Sequence, residues 1–164
     1  MALRNIREEG DPILRKKSRE VTEINERITD LLDDLTETMR SVHGVGLAAP
    51  QVGVLRRVVV VEVEDKLYEL INPVIVESDG DQYEFEACLS VPGQQGKVHR
   101  PAHVKLEALD RNGNKQVYEG EDLLARAFCH ETDHLDGVLF IDKADLMDYY
   151  DDDDEDEDEE GTEE

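Results

Sequence analysis

DLLARAFCHETDHLDG, residues 122 to 137, decides how this 164-residue chain is read. Leu123, Leu124, Ala127, Phe128 and Leu135 recur at helical spacing as an apolar stripe, and Gly137 sits where a helix closes. A helix with that stripe commits one face to a core. His130 and His134 are four residues apart, so they project from one side of it, about one turn from each other. Two imidazoles so placed reach a single metal ion. Glu131, beside the first, is a proton acceptor that has no need to ligate. The bland alternative is a surface helix that happens to carry two histidines satisfied by carboxylates.

Outward from this segment the pattern changes. From about Ile24 to Val42 the apolar residues Ile28, Leu31, Leu32, Leu35 and Met39 again fall at helical spacing, with Thr22 as cap and Gly44 as the left-handed residue that ends the helix. GVGLAAPQVG, residues 44 to 53, matches neither helix nor strand. Its glycines, alanines and Pro50 make a loop whose backbone can approach a ligand closely, and Gln51 is a long amide donor on that loop. Val58 to Val63 is an apolar strand, and Tyr68 to Val76 a second one in which Pro73 marks an edge or a bulge. QYEFEACLSV, residues 82 to 91, begins with strand alternation and carries Cys88. Val104 to Leu109 and Lys115 to Tyr118 flank the hairpin signal Asn112-Gly113, and Val138 to Ile141 reads as a short strand. Two helices with several antiparallel strands give an α+β fold, with the sheets packed around the helix that carries the histidines.

Charge is unevenly distributed. The chain carries a formal −24, but residues 151 to 164, DDDDEDEDEEGTEE, hold 12 of its 42 acids and no base, so the remainder is at −12. Such a block cannot bury apolar surface and reads as a disordered acidic tail, 147–164, after a catalytic domain over 1–146. An acidic body with no basic stripe and no tryptophan argues against direct nucleic-acid binding. No stretch approaches the ~20 apolar residues of a membrane span, and the opening MALRNIREEG has no signal-peptide run. With two cysteines, Cys88 and Cys129, a reduced cytoplasmic protein is expected, in which a special cysteine is a ligand or nucleophile.

A catalytic metal site takes three protein ligands and leaves one position open. Six residues after His134, where one metalloprotease pattern puts a third histidine, stands Phe140. Beyond residue 137 only aspartates precede the tail, leaving Cys88 as the remaining soft donor outside the helix. Cys129 and Arg126 read as a small buried hydrophobe and a salt-bridge partner, and His43, His99 and His103 as surface or loop histidines.

GVGLAAPQ (44–51), EACLS (86–90) and HETDH (130–134), in this order and spacing, resemble the three motifs of the bacterial peptide deformylases, and the similarity runs over most of residues 1–145. The resemblance implies a metal-dependent hydrolase that removes the formyl group of N-formylmethionine from nascent polypeptides and releases formate. It implies Cys88, His130 and His134 as metal ligands and Glu131 as general acid and base. Gln51 and the backbone N–H of Leu89 become donors to the substrate oxygen, and Gly44, Val45 and Gly46 line the substrate cleft. The implied metal is Fe(II), with Zn(II), Ni(II) or Co(II) able to replace it. The implied partners are formylmethionyl nascent chains at the ribosome exit region. Docking there through a basic C-terminal helix is not expected, because DKADLMDYYDDDD, residues 142 to 154, is acidic. Ala87 stands where the second motif usually has glycine. Two rival readings are a metallo-endopeptidase that uses the same His130, Glu131 and His134, and a non-catalytic acidic binding module whose tail, 151–164, recruits basic partners.

Overall fold

A computed structural model describes residues 2–147. Its helices and strands follow in the order α1 (Glu26–Ser41), β1 (Gly46–Ala48), β2 (Val58–Val63), β3 (Lys66–Asp79), β4 (Gln82–Cys88), β5 (Val91–Arg100), β6 (His103–Leu109), β7 (Lys115–Glu121), α2 (Asp122–Leu135) and β8 (Asp145–Met147). The strands form two antiparallel sheets, one ordered β1-β2-β3-β6-β7 and the other β4-β5-β8. The fold is α+β, as the sequence suggests.

Period-two alternation along β2 explains the layering. Val58 and Val60 face α1 and join Leu31, Leu32, Leu35, Met39, Leu47 and Ile71 in one core. Val59 and Val61 face α2 and join Ala48, Leu70, Leu106, Ala125, Phe128 and Leu135 in another. A strand buried on both faces must be apolar throughout, which is why β2 reads VVVV. A third cluster of Leu14, Cys88, Val91, Val98, Leu139 and Phe140 fills the space beside the smaller sheet. Each fully buried Leu or Phe contributes roughly 1.5–3 kcal/mol, so these clusters hold α2 in place.

Several local expectations are corrected. The cap of α1 is Asn25, not Thr22: its side chain accepts from the Ile28 N–H at 3.3 Å. The left-handed residue at its other end is His43 (φ 55°), not Gly44. The Gly44 N–H reaches back to the Met39 carbonyl at 2.9 Å and the His43 N–H to that of Arg40 at 3.2 Å, a Schellman ending with histidine in the glycine position. The glycine-rich segment is not all loop; it contains β1 and a 3-10 turn over Ala49–Val52. At Pro73 the bulge, one of the two expected readings, holds: it lies within β3, a central strand, and the preceding Asn72 (φ 52°) bonds both backbone groups of Val21 at 2.9 Å. Residues 138–141 form no strand; a 3-10 turn spans Phe140–Asp142. Gly137 (φ 75°) does close α2, and a Cβ there would collide with the Arg15 carbonyl oxygen.

β5 and β8 were not legible as strands. VPGQQGKVHR lacks apolar alternation because one inward position is Gly96 and another is Arg100, whose charge is neutralised inside. The expected acidic tail lies outside the described residues, apart from Met147 in β8.

Candidate active site

The β4–β5 hairpin turns through Leu89 and Ser90, with Cys88 paired to Val91. Strand alternation turns Glu86 and Cys88 inward and leaves Phe85 and Ala87 outward. α2 runs past this hairpin and presents His130, Glu131 and His134, all buried. A cavity of about 390 Å³ opens between the two elements and the segment before β1. Gly44, Val45, Gly46, Gln51, Cys88, Leu89, His130 and Glu131 line it, and so does Ala87. His134 is 1 % exposed and does not line the cavity, yet its Nε2 is 3.4 Å from the Cys88 Sγ. His43, expected as a surface or loop histidine, is exposed and also lines the cavity.

One donor atom from each of Cys88, His130 and His134 falls within 4.8 Å of the others, the only such group among the described residues. The residues fit a divalent metal ion. The Nδ1 of His130 is 2.7 Å from Glu86 Oε1, which leaves Nε2 as its free donor. The donor set of two imidazoles and one thiolate suits a borderline or soft divalent metal. Glu131 is 5 % exposed and its Oε1 has no hydrogen-bond partner among the described residues. A buried carboxylate oxygen without a partner is costly, and its position beside the donor set gives it a use.

Electrostatics follow from burial and from one carboxylate. Burial raises the Glu131 carboxyl to about 7, against the opposing pull of the His130 charge. Burial, with the charges of His130 and Arg100, holds the His134 imidazole well below its ordinary range and so neutral. At His130 burial acts in the same direction, but Glu131, Cys88 and Glu86 overcome it and raise the ring to about 10. An ion arriving there displaces a proton. Burial pushes the Cys129 thiol up to about 11, as befits a small core residue facing away from the donors.

Glu86 and Arg100 were missed in the sequence. Glu86 Oε2 meets Arg100 Nε at 2.8 Å and Arg126 Nη1 at 2.6 Å; its Oε1 meets Arg100 Nη2 at 2.9 Å as well as His130. Burial would raise this carboxyl, but the hydrogen bonds from Arg100 and His130 outweigh it and hold the value at about 2. Arg100 continues to Asp133 at 2.7 Å, one turn of α2 away from Cys129. The signal was present: Glu86 lies two residues before Cys88 in a strand, hence on the same face. Arg126 forms the salt bridge expected of it and also lines the cavity.

Gln51 is 1 % exposed and doubly anchored. Its Oε1 accepts from the Ala48 N–H at 2.9 Å, and its Nε2 donates to Ser90 Oγ at 3.0 Å and faces Cys88 Sγ at 3.7 Å. At Gly46 the chain passes so close to α2 that an added Cβ would stand 2.5 Å from Glu131 Oε2.

Comparison with known proteins points to one family. A family model described as polypeptide deformylase matches residues 3–149. A peptide deformylase of Acetivibrio thermocellus is 63 % identical over 143 residues, covering 87 % of this chain and 84 % of the relative. One from Thermoanaerobacter pseudethanolicus is 58 % identical over 144 residues, covering 88 % and 91 %. The crystal structure of peptide deformylase from Thermotoga maritima superposes with a TM-score of 0.85 at 39 % identity, over 88 % of this chain and 99 % of that one. A peptide deformylase from Synechococcus elongatus in complex with actinonin gives 0.83 at 38 % identity, over 85 % and 78 %. The chain belongs to the polypeptide deformylase family.

Proposed function

We propose that this chain hydrolyses the formamide at the amino terminus of formylmethionyl nascent peptides, with Cys88, His130 and His134 holding the metal on which the reaction depends. The observation that carries the reading is the buried Glu131 carboxylate, without a partner on Oε1, beside three donor atoms that lie within 4.8 Å of one another. When bound, a divalent ion polarises a carbonyl and acidifies water. Glu131, with a pKa raised to about 7, takes a proton from the attacking water and passes it to the departing amine. Water adds to the formyl carbon, the C–N bond breaks, and formate and a free amino terminus result. The Gln51 side-chain N–H and the Leu89 backbone N–H donate to the carbonyl oxygen as charge develops on it. Losing one such donor costs on the order of 10²–10³ in rate. Gly44, Val45 and Gly46 supply backbone along which an extended peptide lies, and the missing side chain at Gly46 leaves Glu131 undisturbed.

The metal in this reading is iron(II), which the family resemblance favours, with zinc(II), nickel(II) or cobalt(II) as replacements, since a thiolate with two imidazoles accepts all of these. Among the described residues no helix is long and apolar enough to cross a membrane. The enzyme works in the cytoplasm, on chains leaving the ribosome exit region, without contacting nucleic acid directly. The test is formate release from a formyl-Met peptide by protein loaded with iron(II) without oxygen. Glu131→Ala is expected to lower kcat by roughly 10²–10⁴ while the metal still binds; turnover at the parent rate would remove Glu131 from the mechanism.

A further inference from the structure

The outer face of the β4–β5–β8 sheet meets the cleft at Phe85 and Ala87. Phe85 lines the cavity yet is 47 % exposed, and Ala87 lies beside it. In register across the hairpin, Phe85 faces Lys97, Tyr83 faces His99, and Lys97 faces Asp145. Side chains at these positions share one face. The Lys97 ammonium stands 5.2 Å from the Phe85 ring and 5.5 Å from the Tyr83 ring, while the Tyr83 ring stacks on His99 at 4.2 Å.

Lys97 has an unusual position in so acidic a chain. Asp145, its neighbour in register, is turned to the Tyr83 hydroxyl at 2.5 Å, and among the described residues Lys97 forms no ion pair. The two rings flank the ammonium of this half-exposed lysine. The basic residue lining the cavity itself, Arg126, is committed to Glu86 at 2.6 Å.

Distance fits this surface to the substrate. From Cys88 to Phe85 is three residues of strand, roughly 10 Å at ~3.3 Å each, and a peptide extended from the donor set covers the same span in about three residues. We infer that Phe85 and Lys97 form a subsite for the third or fourth residue of the formylated peptide, and that Lys97 selects a side-chain carboxylate there. The inference rests on the deformylase reading.

The test uses the metal-loaded full chain and peptides with amidated C-termini, formyl-Met-Ala-Asp-Ala-amide and formyl-Met-Ala-Ala-Asp-amide, each against its Asn counterpart. For the parent, kcat/KM is expected to favour Asp over Asn by about threefold in at least one pair, as for an exposed ion pair. The preference shrinks with added salt. It should disappear in Lys97→Gln and return in Lys97→Arg. An Asp/Asn ratio that is the same in the parent and in Lys97→Gln overturns the inference, as does a parent without preference in either pair. If the parent hydrolyses none of the four peptides, the deformylase reading has failed instead.

Discussion

Oε1 of Glu86 lies 2.7 Å from Nδ1 of His130, and both side chains are buried. The carboxylate fixes which imidazole nitrogen is free and which way the ring faces, while Arg100 and Arg126 supply the counter-charge that makes the burial tolerable. Glu86→Gln keeps the shape and loses the charge, leaving two buried guanidiniums without their shared anion. The variant should bind metal roughly 10–100-fold more weakly. It should also lose about 3–5 kcal/mol of stability, the usual consequence of breaking a buried ion pair. Metal titration and denaturant unfolding on the same preparation separate the two effects.

Gly46→Ala tests the close approach of β1 to α2. An added methyl carbon would stand 2.5 Å from Glu131 Oε2 and 2.8 Å from its Cγ, so the carboxylate has to turn away. Glu131 is buried and has nowhere to relax at low cost. The expected result is a loss of about 10²–10³ in kcat with metal content unchanged, since the three atoms nearest the new methyl all belong to Glu131. A variant with parent kcat would show that Glu131 has more freedom than its burial implies.

How much of this was readable beforehand depends on the kind of signal. α1, α2 and β2 follow from apolar periodicity, because a single stripe or an unbroken run leaves one way to bury it. The donors on α2 follow from a four-residue spacing that any helix turns into proximity. The nearness of Cys88 is another matter. It depends on the hairpin through Leu89 and Ser90 and on β5, whose sequence gives no alternation because Gly96 and Arg100 occupy inward positions. The polar network around Glu86 is long-range, joining residues 86, 100, 126, 130 and 133, and charged side chains read one at a time look like surface. Pro73 marked an edge or a bulge without deciding between them; the bulge is what lets a central strand accommodate a residue without an N–H.

His43 takes the left-handed position at the end of α1, with φ 55°. A side chain there crowds the following carbonyl, and glycine removes the strain, though it adds freedom to the unfolded chain. His43→Gly is expected to stabilise the protein by roughly 0.5–1 kcal/mol, or about 1–4 °C in Tm. The backbone bonds from Gly44 and His43 to Met39 and Arg40 remain available to the variant. A melting temperature at or below that of the parent would mean that the imidazole makes compensating contacts at the cleft edge.

Asp34 ties the amino-terminal arm to α1. Its Oδ1 accepts from the Ala2 N–H at 2.7 Å and its Oδ2 from Arg4 Nε at 2.8 Å. Burial pushes the carboxyl up, but these hydrogen bonds and the Arg4 charge outweigh it, and the folded value falls below the ordinary 3.8. A carboxyl depressed by folding contributes stability that is fully present above its unfolded pKa and is lost as pH drops through the folded one. The parent should therefore exceed Asp34→Asn in stability by roughly 1.5–3 kcal/mol at pH 7, the range for hydrogen bonds to a charged group. The gap should hold down to about pH 5 and close below pH 4. Other carboxylates depressed in the fold, such as Asp142 and Glu62, are common to both proteins and cancel in the difference. Urea unfolding of the pair at a series of pH values reads it directly. A gap that stays constant below pH 4 would assign the loss to packing in the arm, and the charge on Asp34 would then contribute nothing.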